Sequence, residues 1–368
     1  MNTYLVGGAV RDALLSRPVK ERDWVVVGAT PEMLLAQGFL PVGRDFPVFL
    51  HPSTREEYAL ARLERKVGPG YRGFSTEFSP EVTLEQDLAR RDLTINAMAQ
   101  AADGSIIDPF GGRRDLEQRV LRHVSPAFIE DPVRLLRVAR FLARFAPLGF
   151  TVAPETLELL RSMVASGEVD ALVPERVWRE LERALSEPRP RAAIELLRDC
   201  GALRVLMPEI DAGEHSLLAL QRAAERDASI AVRFAVLVEH LGVGPIETLS
   251  DRWRIPHEQR ELALLACRFH ASVEQALALR PEALLEIFEQ SDAFRRPERF
   301  RDLLEACECD ARARPDLADR AFAQRTRLES AFAAAAAIKL TNEERSGLAG
   351  PEIGAKLRAR RLAAIHSL

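Results

Sequence analysis

The stretch that decides the fold stands at the start of the chain, where residues 5–12 read Leu-Val-Gly-Gly-Ala-Val-Arg-Asp and residues 21–28 read Glu-Arg-Asp-Trp-Val-Val-Val-Gly. The first segment predicts a short strand, a turn of two glycines and the start of a helix. Gly7 and Gly8 allow the backbone to approach a ligand closely, and a helix N-terminus offers free N–H groups to an anion. Arg11, just inside that helix, adds a planar positive group that suits phosphate oxygens.

The second segment predicts a strand, because residues 24–27 are aromatic and β-branched. Glu21 and Asp23 stand two residues apart at its start, so strand alternation places both carboxylates on one face. Two hard oxygen ligands beside a phosphate-binding turn suit Mg²⁺-dependent phosphoryl or nucleotidyl transfer, which makes Glu21 and Asp23 the predicted catalytic and metal-binding residues. Either segment alone is more often structural, a tight turn or a pair of solvated acids, and it is their combination that points to chemistry.

The bulk composition is that of an ordinary globular protein. The chain has 368 residues, 47% hydrophobic and 29% charged, which excludes global disorder and suggests two or three domains. A formal net charge of −4 gives no overall nucleic-acid signal, so any RNA-binding surface must be local. The four cysteines form no C-x-x-C pattern and no apolar run reaches membrane-spanning length, which favours a cytoplasmic protein without a membrane partner.

The pattern of hydrophobic residues changes near residue 125. Before it, strands and helices mix, with a helix predicted over 84–101 and a loop over 66–74 that is as compatible with a plain surface loop as with a mobile catalytic one. After it, almost everything reads as helix, often with proline in the first turn. The predicted domains are 1–125, 126–210 and 211–368.

Two arginine-rich motifs follow the opening unit. Residues 90–97 read Arg-Arg-Asp-Leu-Thr-Ile-Asn-Ala, and Arg91 with Asp92 could bind a triphosphate and a ribose hydroxyl, although a capping and salt-bridge cluster is the common alternative. In the second motif, over 130–140, Asp131 stands at a helix start. Arg134, Arg137 and Arg140 then recur every three residues, a spacing also typical of a solvated basic face.

Together these motifs resemble the signatures G-G-x-V-R-D…D-x-D, R-R-D-x-T-I-N-A and E-D-x-x-R-x-x-R of class II tRNA nucleotidyltransferases and bacterial poly(A) polymerases. Through about residue 210 the chain is most similar to bacterial CCA-adding enzymes of the proteobacterial type. The resemblance implies an α+β fold, with a polymerase β-like sheet-and-helix head followed by an all-α neck, body and tail. It also implies Mg²⁺-dependent addition of C, C and A to the 3′ end of tRNA from CTP and ATP.

The resemblance also assigns roles to residues of this chain. Glu130, Asp131 and Arg134 fall on the positions that read the incoming base with protein groups in place of a nucleic-acid template. The residues implied to bind the nucleotide are Gly8, Arg11, Arg91, Asp92, Asp131, Arg134, Arg137 and Arg140. The helix over 174–181 matches one that packs behind the site, with Trp178 expected in the core.

The chain departs from this family pattern in two places. The carboxylate pair is Glu-x-Asp where the family has Asp-x-Asp, and Glu57 is a plausible third acid. In the tail, residues 239–244 read Glu-His-Leu-Gly-Val-Gly where the related proteins carry a His-Asp pair of a phosphohydrolase. His215 and His240 alone cannot form such a metal cluster. We therefore expect the tail to be a degenerate remnant without that activity, serving as scaffold or RNA contact.

Two questions stay open at this level. The basic end of the chain, over 351–368, could contact tRNA phosphates or simply complement a helix dipole. The alternatives to full CCA addition are a poly(A) polymerase, an enzyme that adds only CC or only A, and a catalytically weakened tRNA-binding protein. The retained glycine-rich loop and the lack of a long basic extension favour full CCA addition.

Overall fold

The structure is a computed structural model that describes residues 1–42, 48–66, 74–210, 213–318 and 320–368. The α+β class predicted from the sequence is confirmed, since strands concentrate in the first part of the chain and helices fill the rest. The chain forms two compact units, Met1–Leu206 and Met207–Leu368. In the described ranges no helix combines the length and the apolarity needed to cross a membrane.

A seven-stranded sheet in the order β3-β4-β5-β2-β1-β8-β9 forms the centre of the N-terminal part, and β2 and β5 run parallel while its other neighbours are antiparallel. A hairpin of β6 and β7 and a small pair of β10 and β11 stand apart from it. The strands are β1 (Asn2–Val6), β2 (Asp23–Val27), β3 (Leu40–Val42), β4 (Val48–Leu50), β5 (Glu57–Leu60), β6 (Arg62–Lys66), β7 (Phe74–Phe78), β8 (Ala99–Gln100), β9 (Ile106–Ile107), β10 (Val120–Leu121) and β11 (Thr151–Val152).

Both faces of the sheet are covered, and β2 shows why its sequence is a continuous apolar run. Val25 packs in one buried cluster with Val6 and Leu88, whereas its neighbour Val26 packs in another with Leu34. Because successive strand side chains point to opposite faces, a strand between two cores needs apolar residues at every position. The Val-Val-Val of residues 25–27 is therefore a consequence of burial on both sides.

Among the described residues of the first unit, four of the nine helices begin with proline, as the sequence suggests. They are α1 (Gly8–Leu14), α2 (Pro31–Ala36), α3 (Leu84–Ala89), α4 (Gly112–Gln118), α5 (Val133–Phe145), α6 (Pro154–Ala165), α7 (Pro174–Ser186), α8 (Pro190–Asp199) and α9 (Ala202–Leu206). The described part of the second unit contains α10 (Glu214–Glu225), α11 (Ile230–Val238), α12 (Val243–Trp253), α13 (His257–Glu274), α14 (Pro281–Gln290), α15 (Pro297–Arg312), α16 (Ala323–Ala336), α17 (Asn342–Arg345) and α18 (Gly350–His366).

The helix predicted over 84–101 is wrong in its second half. α3 ends at Ala89, a 3₁₀ turn covers Thr94–Asn96, and Ala99–Gln100 forms β8. The reason is tertiary, because β8 pairs with β1 on the side opposite β2 and so supplies hydrogen bonds to that edge. The predicted loop over 66–74 lies between β6 and β7, and its residues 67–73 are outside the described ranges.

The basic end of the chain forms α18, and its cations have partners within the second unit. Arg358 pairs with Glu289 at 3.1 Å, Arg360 pairs with Glu344, and the Arg361 guanidinium lies over the Phe294 ring. These contacts give the basic residues a structural role in the tail, while contact with tRNA phosphates stays a prediction.

A close backbone approach at Gly112 holds the segment that carries Asp92. A Cβ atom added at Gly112 would lie 2.4 Å from the Thr94 carbonyl oxygen and 2.8 Å from the Met98 Cγ atom. Thr94 is also tied to α4, because its hydroxyl donates to Asp115 at 2.7 Å. α4 can therefore pack against the 3₁₀ turn only where position 112 has no side chain.

We predict that Gly112→Ala destabilises the first unit by about 1–3 kcal/mol, because the added methyl group overpacks a backbone contact. The matched control is Gly354→Ala in α18, where nothing lies within 4 Å of the added atom; it should be neutral or stabilising by up to about 1 kcal/mol. Urea unfolding followed by tryptophan fluorescence measures both. Equal stability of Gly112→Ala and the wild type would contradict the packing argument.

Candidate active site

A cavity of about 710 Å³ in the first unit is lined by the end of β1, the starts of β2 and β5, the Arg-Arg-Asp segment, α5 and α7. With the exception of Glu130, every residue that the sequence assigned to catalysis, metal binding or nucleotide binding lines it. These residues are Gly8, Arg11, Glu21, Asp23, Arg91, Asp92, Asp131, Arg134, Arg137 and Arg140. Glu130 is not among the lining residues.

The glycine turn is the point where the backbone approaches this cavity. Gly7 has φ +69° and ψ −128°, a conformation that side chains disfavour, and a Cβ atom there would lie 3.0 Å from an Arg91 nitrogen. Arg11 is 3% exposed; it donates to Asp12 at 2.9 Å and to the Asn96 side chain. Burial lowers the pKa of Arg11, partly offset by Asp12. The glycine turn, Arg11 and Arg91 therefore form one surface of defined geometry.

Sheet register brings the acids together at this turn. Val6 pairs with Asp23 across β1 and β2, and Asp23 pairs with Glu57 across β2 and β5. The strand begins at Asp23, so Glu21 precedes it, which corrects the placement of Glu21 within the strand; both acids still line the cavity together with Glu57. Burial raises the pKa of Asp23; Glu21 raises it further, and Arg91 opposes both.

Asp87 holds two arginines of the site in place, and the sequence did not identify it. Its side chain is completely buried and accepts hydrogen bonds from Arg90 at 2.7 Å and from Arg91 at 3.1 Å. Burial alone would raise the pKa of Asp87, but the two guanidiniums outweigh it and hold this pKa below its ordinary value. The signal was present, because an acid three and four residues before two arginines on a helix pairs with both.

Asp92 is saturated with hydrogen bonds. One oxygen accepts from the Leu93 N–H at 2.8 Å and from Asn96 at 3.0 Å, and the other accepts from Arg137 at 2.7 Å and 2.6 Å. Burial would raise the pKa of Asp92, but the charge of Arg137 and these hydrogen bonds hold it well below the ordinary value. Asp92 is therefore ionised and locked in place against α5.

Asp131 forms a bidentate ion pair with an arginine of α7. Arg176 donates to both of its oxygens, at 3.1 Å and 2.8 Å, while the Val133 N–H donates to Asp131 at 3.3 Å. Arg134, one turn further along, is 7% exposed and donates to the carbonyl oxygens of Ala127 and Arg90 at 2.8 Å and 2.6 Å. The carboxylate and the guanidinium that the sequence predicted as base readers are therefore both held in defined orientations.

The cavity face of α7 was also missed from the sequence. Trp178 is buried in the core as expected, but Arg176, Arg179, Glu180 and Arg183 line the cavity. Glu180 is 5% exposed and accepts from Arg140 at 2.7 Å. The spacing of three and four residues between these polar positions is that of one helix face and could have revealed it.

The cavity is strongly positive. Eleven arginines and six acidic residues line it, which leaves a formal charge of +5 in a chain whose net charge is −4. Such a local excess attracts a polyphosphate, because arginine binds phosphate oxygens bidentately.

A second cluster of chemically active side chains lies in the unit Met207–Leu368. His215 and His240 each place Nε2 against the same oxygen of Asp310, at 2.6 Å and 2.9 Å. From the sequence His215 and His240 stood alone as candidate ligands, whereas in the structure α15 brings Asp310 to both of them, from 70 residues beyond His240. No sequence spacing indicated this partner.

Comparison with known proteins identifies the family. Residues 3–122 match the model described as the poly A polymerase head domain, and residues 149–214 match a probable RNA and SrmB-binding site of polymerase A. The multifunctional CCA protein of Thioalkalivibrio sulfidiphilus is 54% identical over 403 aligned positions, covering 100% of this chain and 98% of the relative. The CCA-adding enzyme of Pseudomonas entomophila is 53% identical, covering 100% and 99%.

The chain belongs to the family of bacterial CCA-adding enzymes. The fold agrees, since the Thermotoga maritima CCA-adding enzyme complexed with tRNA superposes with a TM-score of 0.68 at 24% identity, over 100% of this chain and 88% of that one. The 403 aligned positions exceed the 368 residues of this chain, so the Thioalkalivibrio relative carries segments that this chain lacks.

We predict that Asp87→Asn lowers the free energy of unfolding at pH 7 by about 3 kcal/mol, because two guanidiniums lose a buried carboxylate. The native pKa of Asp87 lies below its ordinary value of 3.8. The extra free energy of unfolding of the wild type is therefore fully present above pH 3.8 and declines as the pH falls through the native pKa of Asp87.

Urea unfolding of both proteins between pH 7 and pH 3 measures this difference. Glu85→Gln, at an exposed acid of the same helix, is the control and should stay within about 0.5 kcal/mol of the wild type. The proposed role of Asp87 would be ruled out if Asp87→Asn and the wild type have the same free energy of unfolding at pH 7. It would also be ruled out if their difference does not shrink as the pH falls.

Proposed function

We propose that this chain is a template-independent nucleotidyltransferase that adds C, C and A to the 3′ end of tRNA from CTP and ATP, with release of pyrophosphate. The observation that carries the proposal is the cavity itself, where carboxylates at the starts of β2 and β5 face an arginine-rich wall from the Arg-Arg-Asp segment and α5. Membership of the CCA-adding family supports the choice of tRNA as acceptor.

The acids of the sheet fit a divalent cation. Asp23 and Glu57 are direct cross-strand partners, and Glu21 shares their cavity. All three offer carboxylate oxygens, the hard ligands that Mg²⁺ prefers, so Glu21 and Asp23 would hold Mg²⁺ with Glu57 beside them. When bound, the ion lowers the pKa of the terminal 3′-hydroxyl of tRNA and neutralises charge on the triphosphate.

The arginines position the nucleotide. Arg91, which lies against Gly7, and Arg11, which is fixed by Asp12 and Asn96, would bind the triphosphate at the glycine turn. Arg140, paired with Glu180, extends the positive wall along α5. Because Arg11, Arg91 and Arg140 are already oriented by carboxylates, these three side chains need little reorganisation on binding, which favours an in-line attack by the acceptor hydroxyl.

Asp131 and Arg134 would select the base. Cytosine and adenine each present an exocyclic amino group beside a ring-nitrogen acceptor, whereas uracil and guanine present a carbonyl oxygen in place of that amino group. A carboxylate accepts from the amino group and repels the carbonyl, while a guanidinium donates to the ring nitrogen. One helical turn separates the two residues, and this pair therefore complements C and A without a nucleic-acid template.

The domain assignment and the compartment complete the proposal. Residues 1–125 would be the catalytic head, 126–210 the neck that carries the base-reading helix, and 211–368 the tail. Four free cysteines support a reducing, cytoplasmic location.

One assay separates the candidate functions. Purified chain is incubated with Mg²⁺, labelled CTP or ATP, and tRNAs that end before the CCA, after the first C and after the second C. Full CCA addition requires incorporation of C, C and then A in that order. Repeated addition of A alone would indicate a poly(A) polymerase. Addition that stops after C and C, or addition of only the final A, would indicate a CC- or A-only enzyme. Binding of tRNA without incorporation would indicate a weakened tRNA-binding protein.

We predict that Asp23→Ala abolishes nucleotide addition while tRNA binding is largely retained, because the metal-binding carboxylate is lost and the RNA contacts are not. Glu21→Asp should remain active, since it keeps the carboxylate and restores the Asp-x-Asp pair common in the family. Incorporation of labelled nucleotide and filter binding of tRNA measure the two properties. Near-normal turnover by Asp23→Ala would show that the metal site is assigned wrongly.

We predict that Asp131→Ala and Arg134→Ala admit UTP or GTP at the expense of CTP and ATP, with a loss of about 1–3 kcal/mol in discrimination. Arg176→Ala should shift preference in the same direction, because it releases the Asp131 carboxylate, and the double variant with Asp131→Ala should be non-additive.

Ratios of kcat/KM for the four triphosphates in competition decide the base-reading assignment. Arg91→Ala and Arg140→Ala are the controls, since contacts to phosphate and sugar carry no base information and should weaken all four nucleotides alike. An unchanged base preference in both Asp131→Ala and Arg134→Ala would rule out the assignment of these residues as base readers.

A further inference from the structure

Two phenylalanines of α5 form an aromatic pair at the wall of the arginine-rich cavity. Phe141 and Phe145 stand one helical turn apart, and their rings stack with centroids 6.1 Å apart and an angle of 7° between their planes. Phe141 lines the cavity and is 4% exposed, whereas Phe145 is completely buried. The ring of Phe141 is therefore where the apolar core of the first unit meets the cavity.

Three guanidiniums converge on this ring. The Cζ atoms of Arg11, Arg137 and Arg140 lie 5.4 Å, 5.6 Å and 4.4 Å from the centroid of Phe141. All three distances are within the range of about 6 Å over which the face of an aromatic ring attracts a cation. Arg11 comes from α1 and the other two from α5, and all three line the cavity. The arginines that the sequence motifs assign to the nucleotide thus share one neutral contact.

Arg11 lies against both rings of the pair. Its Cζ atom is also 5.0 Å from the centroid of Phe145, which Arg144 approaches to 5.3 Å. Because Arg11 is deeply buried, it has lost most of its hydration, and burial lowers its pKa. A cation–π contact stabilises a desolvated guanidinium more than an exposed one. The aromatic pair therefore replaces part of the hydration that Arg11 loses at this site.

Each of the three arginines at Phe141 also has an acidic partner, and the three acids stand on different elements. The pairs are Arg11 with Asp12, Arg137 with Asp92, and Arg140 with Glu180. The acids hold the arginines one at a time, whereas the ring of Phe141 is a contact that all three arginines share. Phe141 can therefore set the distances among the guanidiniums, which none of the single acids can.

A ring holds a cation in a way that suits a polyphosphate site. A carboxylate cancels the charge of the guanidinium it binds, but an aromatic ring has no net charge and attracts through its quadrupole. A guanidinium against a ring face also keeps its N–H groups, which point outward in its own plane and can bind phosphate oxygens. Phe141 therefore orients Arg11, Arg137 and Arg140 without lowering the positive charge of the cavity.

We propose that Phe141 is a positioning residue for the triphosphate of the incoming nucleotide, and that its ring sets the relative placement of Arg11, Arg137 and Arg140. This inference rests on the proposed function, in which arginines of the cavity bind the nucleotide. Because the ring acts through groups that face phosphates, its effect is the same for CTP and for ATP. Selection of the base stays with Asp131 and Arg134.

The test replaces Phe141 with trifluorophenylalanine in the full-length chain. The fluorinated ring keeps nearly the same shape but has a much weaker negative charge on its face, so it weakens cation–π contacts with little change in packing. Calorimetric titration with CTP and with ATP in the presence of Mg²⁺ measures binding. We expect the Kd of both nucleotides to rise by the same factor, about 3 to 10. Phe141→Leu should raise both Kd values at least as much, and Phe141→Tyr should stay within about twofold of the wild type, because it keeps the ring.

The matched control is the same fluorinated residue at Phe150. Phe150 is a buried ring of the same unit that contacts Phe145 at 5.3 Å and forms no cation–π contact among the described residues. Its fluorination should leave both Kd values unchanged. The fluorinated ring also keeps the test valid if Phe141→Leu fails to fold.

Three results would overturn the proposal: wild-type affinity with the fluorinated ring at position 141, equal weakening by the fluorinated ring at position 150, or an effect on only one of the two nucleotides. Because the titration needs no turnover, it is independent of the assay for nucleotide addition. A chain that binds CTP and ATP in this ring-dependent way but adds neither to tRNA would refute the proposed function and leave the role of Phe141 standing.

Discussion

The mutual repulsion of the cavity arginines is the constraint on which the site depends. Eleven guanidiniums line one cavity, and like charges at such distances destabilise a fold unless anions separate them. Among the described residues, five carboxylates do this. Asp87 holds Arg90 and Arg91, Asp12 holds Arg11 and Arg144, Glu180 holds Arg140 and Arg183, and Asp92 and Asp131 each hold one arginine. The carboxylates that keep the arginines compatible with folding therefore also fix the orientation of the guanidiniums that we propose bind the triphosphate.

Sheet register imposes the second constraint. Asp23 is central because β2 lies between β1 and β5, so one position is next to the glycine turn on one side and to Glu57 on the other. The pairing of β2 with β5 is parallel and spans a crossover through α2, β3 and β4. Local pattern cannot specify such a pairing, which is why Glu57 was only a plausible third acid from the sequence.

The features that could be predicted from the sequence were local patterns and motifs. Proline in the first turn marks the starts of α2, α6, α7 and α8, and the motif resemblance placed ten site residues on one cavity. The failures were long-range. β8 replaced a predicted helix because β1 needed an edge partner, and Arg176 and Asp310 reach their partners across 45 and 70 residues. Such contacts depend on how elements pack, and a single sequence does not encode them as a spacing.

The hydrogen bonds at Asp92 connect the binding of sugar and phosphate. A carboxylate offers about four acceptor positions, and the Leu93 N–H, Asn96 and the two nitrogen atoms of Arg137 fill them. If Asp92 accepts a ribose hydroxyl, as its sequence motif predicts, one of these donors must leave. Arg137 is the candidate, because its side chain is partly exposed and a triphosphate offers it other anionic oxygens, whereas the Leu93 N–H is fixed by the backbone. Nucleotide binding would then exchange one ion pair for another. A ligand that has the ribose hydroxyl but lacks the phosphates would leave Arg137 without a new anionic partner, so we expect recognition of the sugar to depend on the triphosphate.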